Sequence, residues 1–140
     1  MLACKAYTKG EVPIGAIIER NGKIIARAIN SREKDQIATH HAEVKVIEKA
    51  CKKLKSWRLD DCTLYVNLEP CPMCAGAILN ARIKEVVYAV KDEASGGFSK
   101  FNLHSGLNHT TTITHDKTYE EENKTLIQNF FKDKRKKSTN

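Results

Sequence analysis

Two short stretches carry side chains that could do chemistry together. Residues 38–44 read ATHHAEV, with His40 and His41 adjacent and Glu43 two positions beyond the second histidine. Residues 68–76 read LEPCPMCAG, with Cys71 and Cys74 in a C-x-x-C. At the start of a helix that spacing puts both sulfurs on one face, and the positive helix N-terminus favours thiolates. Alone, a C-x-x-C is also consistent with a redox pair. With His41 it makes a soft, three-donor set suited to zinc. A structural zinc site closes with a fourth protein ligand, whereas a catalytic one leaves that position to water. His40 is a poor fourth ligand, because adjacent helical side chains point about 100° apart. Cys51 falls on an apolar stripe and Cys62 opens an apolar strand, so both read as core thiols, and Cys4 reads the same way. Glu43 stands where a carboxylate can take a proton from a metal-held water. Its plainer role is an acid that favours a helix N-terminus. The coincidence of both motifs favours the chemical role.

These side chains need elements to position them. Residues 2–9 have a short helical pattern. IGAIIER and KIIARAI flank Asn21 and Gly22, the strongest short signal for a hairpin turn. After the polar stretch NSREKDQIAT a helix is expected from about His41, with Thr39 as its N-cap and Val44, Ile47, Cys51 and Leu54 as its core stripe. TLYVNL and EVVYAV read as strands around a helix in CAGAILNAR; TTITH adds a last strand, and a helix follows from about Glu120. Helices alternating with apolar strands imply crossovers and a largely parallel core sheet. The expected fold is an α/β sandwich around one mixed sheet, in a single domain spanning residues 1–140. The basic tail at 132–140 is expected to fray.

The bulk properties set limits. A chain of 140 residues with 41% hydrophobic content can bury a core without disulfides. No run approaches the ~18 apolar residues of a membrane helix, and the start lacks the pattern of a secretory signal. A cytoplasmic location is therefore expected, with the five cysteines reduced. The net charge of +7 is uneven. Residues 44–58 hold six Lys/Arg against one Glu, and residues 132–140 hold five against one Asp. Such a surface attracts polyanions, although charge alone is also explained by solubility.

H-A-E, then twenty-six residues, then P-C-P-M-C resembles the signature of the zinc-dependent nucleobase and nucleoside deaminases, the H-x-E…P-C-x-x-C pattern. Within that superfamily EVPIGAII, the loop at Asn30, DCTLYVNLEPCPMCAGAILNARI, GLNH and the Phe-Phe-basic ending are similar to the bacterial tRNA-specific adenosine deaminases, over nearly the whole chain. The resemblance implies a cytidine-deaminase-like three-layer α/β/α sandwich around a five-stranded sheet. It implies that His41, Cys71 and Cys74 bind one zinc ion per subunit, with water or hydroxide as fourth ligand, and that Glu43 shuttles protons. Asn30 would hold the flipped base, and Asn108, Phe130 and Phe131 would contact RNA. The implied partners are a tRNA anticodon loop, whose wobble adenosine becomes inosine, and a second copy in a homodimer.

Three positions depart from that family's pattern. His40 replaces a small residue, Asn67 replaces a hydroxyl residue, and the first helix starts about two turns later than in most members. A deaminase of a free base or nucleoside, guanine or cytidine, would share the metal motif but needs no basic, aromatic last helix. A zinc-stabilised RNA-binding subunit without turnover would be marked by loss of the glutamate, and Glu43 is present.

Overall fold

A computed structural model describes residues 2–101, 103 and 109–138. The elements run α1 (Leu2–Thr8), β1 (Gly15–Arg20), β2 (Lys23–Ile29), α2 (Arg32–Asp35), α3 (Ala42–Leu54) and β3 (Cys62–Leu68). They continue with α4 (Pro72–Asn80), β4 (Glu85–Val90), α5 (Gly97–Lys100), β5 (Thr112–His115), a 3₁₀ turn (Lys117–Tyr119) and α6 (Glu120–Ser138). The strands form one mixed sheet in the order β2-β1-β3-β4-β5. β1 runs antiparallel to β2 and β3, while β3, β4 and β5 are parallel, as the β3-α4-β4 crossover demands. The β1–β2 turn is the expected one, with Asn21 at φ 52° and Gly22 at φ 79°.

Strand residues alternate between the faces. Ala16, Ile18, Leu64, Val66, Val86 and Tyr88 pack with Val46 and Ala50 of α3 and Ile78 of α4 in one core cluster. The intervening Ile17, Tyr65, Val87 and Ala89 share a cavity with Leu2 and Ala3 of α1 and Asn123 of α6. Helices α3 and α4 therefore cover one face, and α1 and α6 the other. Among the described residues no helix is long and apolar enough to cross a membrane.

Several details differ from expectation. The fully buried line of α3 is Ala42, Glu43, Val46 and Ala50, whereas Ile47, Cys51 and Leu54 flank the core and are only partly buried. Small residues face the sheet because they let the helix approach it closely. The N-cap is His41 rather than Thr39, whose carbonyl instead accepts from the His41 amide at 2.8 Å. Cys62 is buried and Cys51 half-buried, but Cys4 is exposed on the outer side of α1. α6 runs to Ser138 and so includes most of the basic stretch after residue 131. Its Lys and Arg residues are good helix formers, and their charge suits a helix C-terminus. Phe130 anchors α6, packing edge-on against Tyr7 of α1 with ring centroids 5.7 Å apart. The Tyr7 hydroxyl also donates to Asp133.

Candidate active site

Two helix N-termini meet at the edge of the sheet where β3 ends. His41 is the N-cap of α3 and Cys71 the N-cap of α4. Both have extended backbone, and neither side chain makes the capping hydrogen bond usual at that position. Each is left free to point outward at a ligand. Cys74, three residues into α4, completes the set. His41 Nδ1 lies 3.7 Å from Cys71 Sγ and 3.5 Å from Cys74 Sγ, and the three donor atoms lie within 4.8 Å of one another. Tetrahedral zinc, with Zn–N near 2.0 Å and Zn–S near 2.3 Å, holds such donors about 3.5 Å apart. The triad fits a tetrahedral metal with one position left over.

The electrostatics agree. A hydrogen bond from the Cys74 thiol, helped by His41, holds Cys71 down at about 4, while Cys74 is pushed up. The two sulfurs share one proton, which a cation can replace. His41 is raised, chiefly by its contact with Cys71. Glu43 is 3% exposed, and burial pushes its carboxyl up to about 7. Its Oε1 has no hydrogen-bond partner among the described residues. A buried carboxyl oxygen left unpaired costs about 1–3 kcal/mol, so its place beside three residues that could hold a metal points to work done on something that enters the site.

The sequence reading missed the residues that hold this geometry. Glu69 is 2% exposed. Its carboxyl oxygens accept from the Asp92 amide at 3.1 Å, the Ser99 amide at 2.8 Å and the Ser99 hydroxyl at 3.0 Å. This ties residues 92–99 against the start of α4, where the Gly97 amide donates to Pro70 O at 2.8 Å. The approach is too close for side chains. A Cβ on Gly97 would lie 2.9 Å from Cys71 O, and one on Gly96 would lie 2.4 Å from the Glu69 carboxyl. Glu69→Ala leaves two backbone donors unpaired and should lower the unfolding free energy by about 3 kcal/mol, measured by urea titration.

Glu11 plays the matching part for α2, accepting from the Glu33 amide at 3.1 Å and the Lys34 amide at 2.8 Å. Asn67 braces the same region, donating to Pro13 O at 2.7 Å and accepting from the Gly15 amide at 3.0 Å. A hydroxyl residue there could not make both bonds in this geometry, because they use the two ends of one amide.

Asn30 is buried, and its Oδ1 accepts from the Arg32 amide at 3.2 Å. The next residue's amide, that of Ser31, donates to His40 O at 3.1 Å, which closes the loop and brings Asn30 toward the histidines. His40 turns away from the metal donors. Its Nδ1 lies 2.6 Å from Asp35 Oδ2, which also accepts from Ser31 Oγ at 2.6 Å. These two contacts, Ser31 first, hold the Asp35 carboxyl below its ordinary range. His40→Ala is accordingly expected to leave metal content unchanged, as plasma emission analysis of the purified protein would show.

The two late phenylalanines separate. Phe130 is 6% exposed and packed in the protein, whereas Phe131 is 43% exposed and lines a cleft with Lys91 and Lys124. Asn108 lies outside the described residues, as does His104. His109 places Nε2 3.0 Å from Ile83 O. His115 is half-buried: it stacks on Tyr88 with centroids 4.9 Å apart and reaches Ala89 O at 3.0 Å.

Residues 1–135 match the family model of MafB19-like deaminases. The chain is a member of that deaminase family. It is 46% identical to the tRNA-specific adenosine deaminase of Bacillus subtilis over 138 residues, covering 96% of this chain and 85% of the relative. The guanine deaminase of the same organism is 49% identical over 100 residues, but this covers only 69% of the chain and 64% of that protein. Among solved structures, one from a study of A-to-I editing by tRNA deaminases at the wobble position of transfer RNA superposes with a TM-score of 0.82. It is 35% identical, and the match covers 89% of this deaminase and 92% of that chain.

Proposed function

We propose that this deaminase hydrolyses the wobble adenosine of a tRNA anticodon to inosine, releasing ammonia. One observation carries the reading. The His/Cys/Cys triad with its buried glutamate sits in a chain whose near full-length likeness is to a tRNA-specific adenosine deaminase.

His41, Cys71 and Cys74 would hold one zinc ion per subunit, leaving one position to water. Bound there, zinc supplies a water acidic enough to act as a nucleophile near neutral pH. The remaining work belongs to the chain. Glu43, buried and with Oε1 unpartnered among the described residues, takes a proton from the water and gives it to N1 of the adenine. It then carries the second proton to the amino group at C6, which leaves as ammonia while the oxygen stays. Asn30, held rigid by its own backbone contacts, would orient the flipped base. Phe131 offers an exposed face for a neighbouring base, and Phe130 serves as the hydrophobic anchor. Asn108 is assigned to RNA contact on the GLNH resemblance. The working form is a cytoplasmic homodimer that takes the anticodon loop, where a base is cheaply extruded.

A free guanine deaminase would use the same metal donors, so substrate preference decides between the two. Ammonia release is measured in parallel on an anticodon stem-loop with a wobble adenosine and on free adenosine, guanine and cytidine. Turnover of the stem-loop alone is expected. Turnover of a free base or nucleoside with the stem-loop untouched would overturn the RNA assignment.

A further inference from the structure

We propose that the cleft along the edge strand β2 is a second RNA-binding surface, which grips the phosphate backbone of the substrate outside the catalytic pocket. It rests on the tRNA reading above and extends it to how the substrate is held.

The cleft has a volume of about 570 Å³ and is lined by Lys5, Lys9, Arg27, Lys34, Lys45 and Lys49. These six cations come from α1 and the residue after it, β2, α2 and α3, so no single amphipathic helix explains their convergence. Glu11 is the one acid among the described residues of the lining, and both its oxygens already accept backbone amides. Two of the lysines are fixed in place. Lys45 Nζ donates to Ile29 O at 3.1 Å and Lys49 Nζ to Arg27 O at 2.8 Å, which also protects the free edge of β2. Lys45 Nζ also donates to Ser31 Oγ at 2.5 Å; an ammonium has three donors, so Lys45 keeps one for an anion and Lys49 two. Burial lowers the pKa of Lys45; the carboxylates of Asp35 and Glu11 oppose that shift, while the charges of Lys49 and Lys34 add to it.

The position also matters. Asn30 and Ser31 also line the cleft, and the Ser31 amide donates to the carbonyl of His40, the residue before His41. At 1.5 Å per residue, Lys45 and Lys49 step about 6 and 12 Å along α3 away from His41. The cations thus lead outward from the site as a track. A neutral free base has no use for such a track, while a phosphodiester chain does.

The test compares two triple charge reversals in the full-length, zinc-loaded protein. Lys9→Glu/Lys34→Glu/Lys49→Glu changes exposed residues of the cleft. Lys52→Glu/Lys53→Glu/Lys84→Glu changes the net charge equally at exposed positions outside it. On the anticodon stem-loop, the cleft variant should raise KM at least about tenfold with kcat nearly unchanged. It should also flatten the salt dependence of log KM by about 2, three contacts at roughly 0.7 each. The control variant should change KM far less. A Lys→Gln version of the cleft triple, checked by circular dichroism, should move KM the same way by a smaller factor. Equal losses in both triples, or no loss in the cleft variant, would overturn the proposal while leaving the substrate reading intact. If the unmodified protein left the stem-loop untouched, the substrate reading would fall first and take this proposal with it.

Discussion

Glu43→Gln is expected to lower kcat about 10⁴-fold while the protein keeps its zinc. A single general acid–base group contributes about 10² to 10⁴ in rate. The upper end applies here because both proton transfers, to N1 and to the departing amine, pass through the same carboxyl. That corresponds to roughly 5.5 kcal/mol of transition-state stabilisation. Glutamine keeps the shape but cannot carry a proton. Metal content should not change, since Glu43 is not one of the three clustered donors. Thermal stability should change little, because Oε1 has no partner to lose among the described residues. Residual turnover within about tenfold of the unmodified protein would move the proton shuttle to another group.

The second large effect belongs to the donors themselves. Cys74→Ser and His41→Ala should each weaken zinc binding by more than about a hundredfold, since even outer-shell partners of metal sites are worth 10–100-fold. In excess zinc, a hundredfold loss of affinity removes about 2.7 kcal/mol of ligand-linked stability. The decisive control is a chelator. Cys74 is fully buried, and serine preserves most of its volume, so the metal-free forms of the variant and the parent should melt close together. If the stability gap persisted without metal, the loss would lie in packing rather than in ligation. If His41→Ala kept its zinc while His40→Ala lost it, the register of the site would be wrong by one residue. The 2.6 Å contact between His40 and Asp35 argues against that outcome.

The chemistry was the most legible part of this chain. H-A-E and P-C-x-x-C pointed to His41, Cys71 and Cys74, which the fold brings together as a group that could hold a metal, because such a group needs fixed residue types at helix-start spacing. The Asn21–Gly22 turn and the strand alternation were equally readable, since each depends on local backbone preference. What stayed hidden depends on contacts between distant segments. Glu69 looked like one letter of a motif, yet its partners, Asp92 and Ser99, lie 23 and 30 residues away. Glu11 is bonded across 22 and 23 residues to α2. Thr39 obeyed the usual rule for an N-cap and lost the position because His41 occupies it with a different task. The stripe of α3 turned because the side facing both the sheet and α4 selects small residues, which a search for large apolar side chains passes over. The shelter of His115 is of the same kind, since it comes from Tyr88 on the neighbouring strand.

The most direct test of the account follows the oxygen. The zinc-loaded protein is given an anticodon stem-loop with one wobble adenosine in water enriched in the heavy oxygen isotope, and the digested RNA is read by mass spectrometry. The account predicts inosine at the wobble position alone, carrying the heavy oxygen at C6, and none with Glu43→Gln. An unchanged wobble adenosine, under conditions where free guanine or cytidine is consumed, would contradict it.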